Sequence, residues 1–300
     1  FCLSRGLGDV YKRQGPGRAA LEAGPAGTEA TRKLQEAYAA PIRPDLITER
    51  LAQIREAGVV VAGSLTPQNT QEFYRTVVAA GVDLFVIRGT TVSAEHVSST
   101  QEPLDLKQFI YELDVPVIVG GAAGYTPALH LMRTGAAGVL VGFGGGASTT
   151  TRRAMGIRVP MATAISDIAE ARRDYMDESG GRYVHVIADG GVSTSGEIVK
   201  AIAMGADAVV LGAALARATD APGGGWHWGL EAAHPELPRG HRTHVGQVAP
   251  LEEVLWGPGR HADGTSNLMG GLKRAMATCG YTELKDFQKV EVLVTPTQTV

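Results

Sequence analysis

The sequence predicts an α/β fold of the TIM (β/α)8 barrel type, on three observations. Short apolar runs without polar alternation recur between helical segments, as strands buried on both faces require. The helical segments stop at glycine before the next run, as in "AAGVD" and "MGAD". Glycine-rich turns follow the later strands, at the ends where a barrel builds its site. A chain of 300 residues with 44% hydrophobic content is enough for one catalytic-size domain. Its 39 glycines are about twice the usual share of roughly 7%, while aromatics are only 6%, which favours tight strand-to-helix turns over an aromatic-rich sandwich.

Residues 1–17, "FCLSRGLGDVYKRQGPG", have neither the apolar core of a signal peptide nor a periodic pattern. They read as an artefactual leader outside the fold, leaving 18–300 as the barrel domain. From Thr28 to Gly58 the pattern is helical with a break at Pro41 and Pro44. Asp45 and Thr48 are cap positions, Leu46, Ile47, Leu51 and Ile54 share one face, and Gly58 ends the segment. Strand candidates follow at 59–63, 83–89, 115–121, 137–143, 184–191 and 208–214, with helical text between them. These are six of the eight strands of a closed barrel, and nothing strand-like precedes Thr28, so the barrel is expected to be N-terminally truncated. A six-stranded doubly wound sheet is the alternative, but glycine loops late in the strand order suit a barrel better. Beyond Ala218 the rhythm stops, and about 217–250 reads as a lid or flap insertion over the barrel mouth. The helix "TSNLMGGLKRAMATCG" and an apolar strand "VEVLV" close the chain.

The formal net charge of -3 argues against a nucleic-acid binder that works by phosphate neutralisation. Only Cys2 and Cys279 are present, so neither a disulfide framework nor a cysteine zinc site is available, and a reducing cytoplasm fits. Cys279 reads as a small buried hydrophobe. The uncharged stretch from Val115 to Met132 is interrupted by "GGAAGYTP", which reads as strand, loop and helix rather than a membrane span.

Three glycine turns lie at successive strand ends: "GFGGGAS" (142–148), "ADGGVSTSGE" (188–197) and "LGAALA" (211–216). Gly190, Gly191, Gly212 and Ala213 offer backbone N–H groups to a phosphate, or serve only to turn the chain. Asp189 is an acceptor-only group suited to both hydroxyls of a ribose; alternatively it caps the helix that starts near Ser193. Trp226 and Trp228 flank His227 on a glycine-sprung segment that either stacks on a base or packs as a lid on its own barrel. His185 reads as a core or inter-strand residue and His130 as a helix-surface one, while His234, His241 and His244 lack metal-like spacing.

The order "VGxGxGxxxTTR", "VPxxTAIxD", "IADGG", "LGxxxA", "(T/E)(D/E)xPG", "LMGGL" resembles the IMP dehydrogenase and GMP reductase family from about Asp45 to the end. "VIRGTTVSAEHVS", "VGFGGGAS" and "APGGGWHWG" look closest to its bacterial IMP-dehydrogenase-related subgroup. The resemblance implies a (β/α)8 barrel, a purine nucleoside monophosphate (IMP, GMP or XMP), NAD or NADP, and often a homotetramer, with neither nucleic acid nor membrane as partner. It implies that Asp189 holds the ribose hydroxyls and that Gly191, Gly212 and the Ala213 amide hold the phosphate, beside the Gly190 N–H of the same turn. Gly144, Gly146 and Thr149 would supply carbonyls to a monovalent cation such as K+.

The departures from the family pattern fall on chemistry. Thr149 stands where the family has its cysteine nucleophile, and a threonine hydroxyl is essentially never ionised without a dedicated base. Ala147 and Ala213 replace phosphate-binding serines, Gly121 replaces an asparagine, and the "YRGM" flap segment is missing. Arg88 replaces an aspartate that touches the cofactor; it offers a cation to a phosphate or carboxylate, or pairs with Glu95 or another local acid. Two classes of function follow: an oxidoreductase moving hydride between nicotinamide and a purine nucleotide, and a catalytically silent nucleotide-binding protein. A flavin or sugar-phosphate enzyme with the same phosphate grip is a third reading.

Overall fold

The computed structural model describes residues 39–94, 103–229 and 242–293, with positions 32, 35 and 36 ahead of them. The leader at 1–17, His234, His241 and Glu95 lie outside the described residues. Six strands form one parallel sheet in chain order: β1 (Ala62–Leu65), β2 (Leu84–Arg88), β3 (Val117–Ala122), β4 (Gly138–Val141), β5 (His185–Asp189) and β6 (Ala208–Val210). Each falls on one of the apolar runs. The order never reverses, whereas a doubly wound sheet reverses at its switch point, so that alternative is excluded. Helix α1 (Pro44–Glu56) precedes β1, and between the strands run α2 (Pro67–Ala79), α3 (Leu106–Glu112), α4 (Tyr125–Arg133), α5 (Met161–Glu178) and α6 (Ser195–Ala203).

Residue alternation along the strands shows how the sheet curls. Ala62, Val86, Ile118, Leu140, Ile187 and Val210, one from each strand, form a cluster of their own. Their neighbours Phe85, Ile87, Val119, Val139 and Val186 instead pack in a larger cluster with helix residues such as Val77, Met132 and Ile165. One face of the sheet closes on itself and the other is covered by helices, which is the layering of a (β/α)8 barrel wall with six strands in place.

The recurrent glycine-to-aspartate ending has a specific job. Gly81 (φ 78°) and Gly205 (φ 111°) turn the chain in a left-handed conformation after α2 and α6. Two residues on, Asp83 accepts the Val61 N–H at 2.8 Å and Asp207 accepts the Val186 N–H at 2.8 Å, pinning the start of a neighbouring strand. Around Asp207 the device grows into a cluster: Arg172 donates at 2.8 Å, Tyr183 at 2.7 Å, Gln288 at 3.1 Å, and Lys285 joins them. Burial opposes the charge of Asp207, but the donations from Lys285, the Val186 N–H, Tyr183 and Gln288 outweigh it and hold the carboxyl below its ordinary range.

Several local expectations are corrected. The N-cap of α1 is Arg43, without a side-chain cap bond, because Pro44 supplies the first-turn geometry and Asp45 turns to the Arg43 guanidinium. Thr48 instead donates back to the Pro44 carbonyl at 3.3 Å. The excursion after Ala218 contains an antiparallel hairpin, β7 (Trp226–Trp228) with β8 (Arg242–His244). A four-residue α7 (Ala213–Ala216) precedes it, and α8 (Leu251–Trp256), α9 (Leu268–Thr278) and α10 (Leu284–Phe287) follow. Val254, Leu268 and Met276 pack on Ile198 and Ile202 of α6, so the tail thickens the helical layer. No strand forms at Val290–Leu293; Val292 and Leu293 are exposed. Cys279 caps the end of α9 and is exposed rather than buried. His185 opens β5 at the rim of the sheet and is exposed rather than core, and His130 is half-buried. Among the described residues, no helix is long and apolar enough to cross a membrane.

Candidate functional site

Strand parity decides which side chains meet at the barrel mouth. Arg88 lies two residues beyond Val86, and Asp189 two beyond Ile187, so both project from the inner face one layer above that cluster. Of the strands between them, β3 carries Gly120 and Gly121 near its end, and Gly142 directly follows β4. Across that gap Arg88 donates from Nε to Asp189 Oδ2 at 2.6 Å and from Nη2 to Oδ1 at 2.9 Å. It is a two-point fork on one carboxylate, with the side chains only 19% and 9% exposed. Of the two readings for Arg88, a local acid as partner is what is observed, and the acid is Asp189.

The glycine turns converge on this pair. A Cβ on Gly145 would come within 3.2 Å of the Gly190 carbonyl carbon, and one on Gly191 within 2.9 Å of the Gly145 oxygen, so the turns after β4 and β5 lie backbone against backbone. Gly191 also holds φ at 72°, a conformation that a side chain would strain. The turn after β6 is tied in by Arg217 at the end of α7, which donates to the Val245 carbonyl at 3.0 Å and the Ser193 carbonyl at 3.4 Å. None of the N–H groups of Gly190, Gly191, Gly212 and Ala213 is spent in the described turn, loop and cap bonds of the backbone. Asp189 does not cap α6. Thr194 does, in a reciprocal box with Glu197, whose Oε2 also accepts the Ser193 N–H at 2.7 Å.

Thr149 sits half-buried in the first turn, its hydroxyl 3.4 Å from that of Thr151. Gly144, Gly146 and Thr149 share this loop, and the Gly146 carbonyl accepts the Thr149 N–H at 3.3 Å. Among the described residues no group of three or more His, Cys, Asp and Glu is placed to hold a metal. Gly121 is explained sterically: a Cβ there would meet the Gly142 oxygen at 2.7 Å.

The hairpin roofs the same loop. Ser148, only 2% exposed, donates to the His227 carbonyl at 2.6 Å, and Thr243 donates to the Ala147 carbonyl at 3.3 Å. His227 is itself 7% exposed. The Trp226 ring is taken by the Arg242 guanidinium at 4.5 Å and the His244 ring at 5.0 Å. The segment therefore packs as a lid on its own barrel. Sequence reasoning missed Ser148 and Arg217, for which the text carries no signal, and the Thr194–Glu197 box, whose spacing was readable.

Comparison with known proteins agrees with this architecture. The model of the IMP dehydrogenase / GMP reductase domain matches residues 47–228. The chain is 57% identical over 278 residues to an uncharacterized oxidoreductase of Mycobacterium tuberculosis, covering 92% of this chain and 74% of that protein. It is 29% identical over 275 residues to inosine-5'-monophosphate dehydrogenase of Methanocaldococcus jannaschii, covering 83% and 53% of the two chains. The crystal structure of an IMP dehydrogenase/GMP reductase-like protein from Corynebacterium glutamicum superposes with a TM-score of 0.84 at 53% identity, over 95% of this chain and 74% of that one. A domain match that spans all six strands, with a structure of that likeness beside it, makes this chain a member of the IMP dehydrogenase / GMP reductase family.

Proposed function

We propose that this chain is an oxidoreductase of purine nucleotide metabolism whose mouth binds a purine nucleoside monophosphate, IMP, GMP or XMP. The observation that carries the reading is the convergence of the three glycine turns around Asp189, with N–H groups at Gly190, Gly191, Gly212 and Ala213 that enter none of the described turn, loop and cap bonds of the backbone. Those donors suit the phosphate and the carboxylate suits the ribose diol. NAD or NADP would accept or supply the hydride, and Arg88 is the residue that would hold its phosphoryl oxygens once free of Asp189. K+ would take the carbonyls of Gly144, Gly146 and Thr149; that of Gly146 keeps a lone pair beyond the one given to Thr149. A cytoplasmic homotetramer completes the proposal for the intact protein.

A second reading, a catalytically silent nucleotide-binding protein, is favoured by one observation: a threonine, Thr149, stands at the family's nucleophile position, and its hydroxyl is far less readily ionised than a cysteine thiol. Calorimetric titration of IMP, GMP and XMP, with Asp189→Ala as control, tests the shared core of both readings. Binding lost in that variant supports the site, and absence of binding by all three nucleotides would sink it. Oxidation of reduced cofactor in the presence of the bound nucleotide then separates enzyme from silent binder.

A further inference from the structure

We propose that Arg88 is a masked subsite for a phosphoryl oxyanion of a second ligand, closed by Asp189 and opened when the vicinal diol of the nucleotide takes the carboxylate. The inference rests on the nucleotide reading above. Both oxygens of Asp189 are already engaged by a two-point fork, Nε at 2.6 Å and Nη2 at 2.9 Å. A diol also presents two donors side by side, so it competes with the guanidinium for the same edge of the carboxylate. Displacement leaves Arg88, 19% exposed in its side chain, as a poorly hydrated cation at the mouth. A buried charge that has lost its partner is strongly unfavourable, so an oxyanion is recruited to replace the carboxylate. Gly120, which lies beside Arg88 in the β2–β3 register, and Gly142, which follows β4, put no side chains of their own between the two residues. The two ligands are then coupled: each raises the affinity of the other by the same factor.

The probes are GMP, its 2′,3′-dideoxy form and inorganic pyrophosphate, titrated calorimetrically into the full chain. Asp189→Asn, checked for folding by thermal melt, is expected to bind pyrophosphate at least tenfold tighter than the wild type with no nucleotide present. Adding Arg88→Met to that variant is expected to erase the gain, which separates this site from surface arginines. In the wild type, GMP is expected to tighten pyrophosphate at least fivefold and the dideoxy form to leave it unchanged. The single variant Arg88→Met provides an independent reading: it is expected to bind GMP several-fold tighter, because the competing fork is gone. No gain in Asp189→Asn together with unchanged GMP affinity in Arg88→Met overturns the masked subsite even where GMP binds normally. A gain in Asp189→Asn with no GMP binding at all keeps the anion site and overturns the nucleotide as its key. GMP and pyrophosphate that bind independently overturn the coupling.

Discussion

Two buried aspartates at opposite ends of neighbouring strands show how one wall divides its labour. Asp207, just before β6, is saturated: Arg172, Tyr183, Lys285, Gln288 and the Val186 N–H all donate to it. Asp189, at the far end of β5, takes side-chain hydrogen bonds from Arg88 alone among the described residues. Residues at the bottom of a barrel wall serve stability and those at the top serve chemistry. The difference in partner number is the physical form of that rule. A carboxylate surrounded by donors from α5, α10 and the adjoining strand cannot be recruited by a ligand, whereas one held by a single fork exchanges that fork for another.

The comparison breaks most visibly at Asp207. Asp207→Asn leaves Arg172, 9% exposed, without its charge partner and is expected to cost about 3 kcal/mol by urea unfolding. Nucleotide affinity should stay within about twofold, since the cluster lies at the other end of the strands. The carboxyl of Asp207 lies below its ordinary range in the fold, so its contribution is fully present above the unfolded value of about 3.9 and fades as pH falls through the folded one. The stability gap between wild type and Asp207→Asn should therefore be constant near neutrality and close below about pH 4. A gap that persists at lower pH would assign the cluster's strength to Arg172 and Tyr183 packing instead of to the charge.

At the mouth, the next largest effect belongs to backbone. Gly191→Ala places a side chain at φ 72° and drives its Cβ toward the Gly145 oxygen, which together are expected to cost about 2 kcal/mol and to weaken nucleotide binding as the turns part. Asp189→Asn should reverse the pattern of Asp207→Asn. Stability is expected to fall by about 2 kcal/mol, less than for Asp207→Asn, because Arg88 is 19% exposed against 9% for Arg172 and the asparagine oxygen still accepts one of its two hydrogen bonds. Nucleotide affinity is expected to drop by tenfold or more, read by calorimetric titration.

How much of this was legible in the chain follows from range. The six strands were readable because each apolar run is continuous and most are preceded by a glycine stop, which are local signals. The position of Asp189 and the glycine turns was readable for the same reason. Its pairing with Arg88 was not, because the partners are 101 residues apart and meet only when the wall curls. Asp207 stood in plain view inside the "MGAD" ending, yet text alone reads that ending as a helix stop and is silent on the five donors that collect there. The hairpin was missed because its strands are three residues each and far apart in sequence, too short for alternation to register.

The smallest expected effect tests whether the roof belongs with the locked end or the exchangeable one. The side chain of Ser148 is buried and, among the described residues, makes one bond, to the His227 carbonyl, whereas Asp207 collects five donors. Ser148→Ala removes one hydrogen bond between the loop and the hairpin, at about 1 kcal/mol. If the hairpin opens as a unit separate from the barrel, that energy appears only in its own opening. Exchange of the Val245 amide, which donates to the Gly225 carbonyl at 2.8 Å, should then speed up about fivefold while global unfolding in urea stays unchanged. An equal loss in both would mean that the hairpin is welded to the wall as Asp207 is, and that access to Thr149 and the turns beneath it does not depend on its movement.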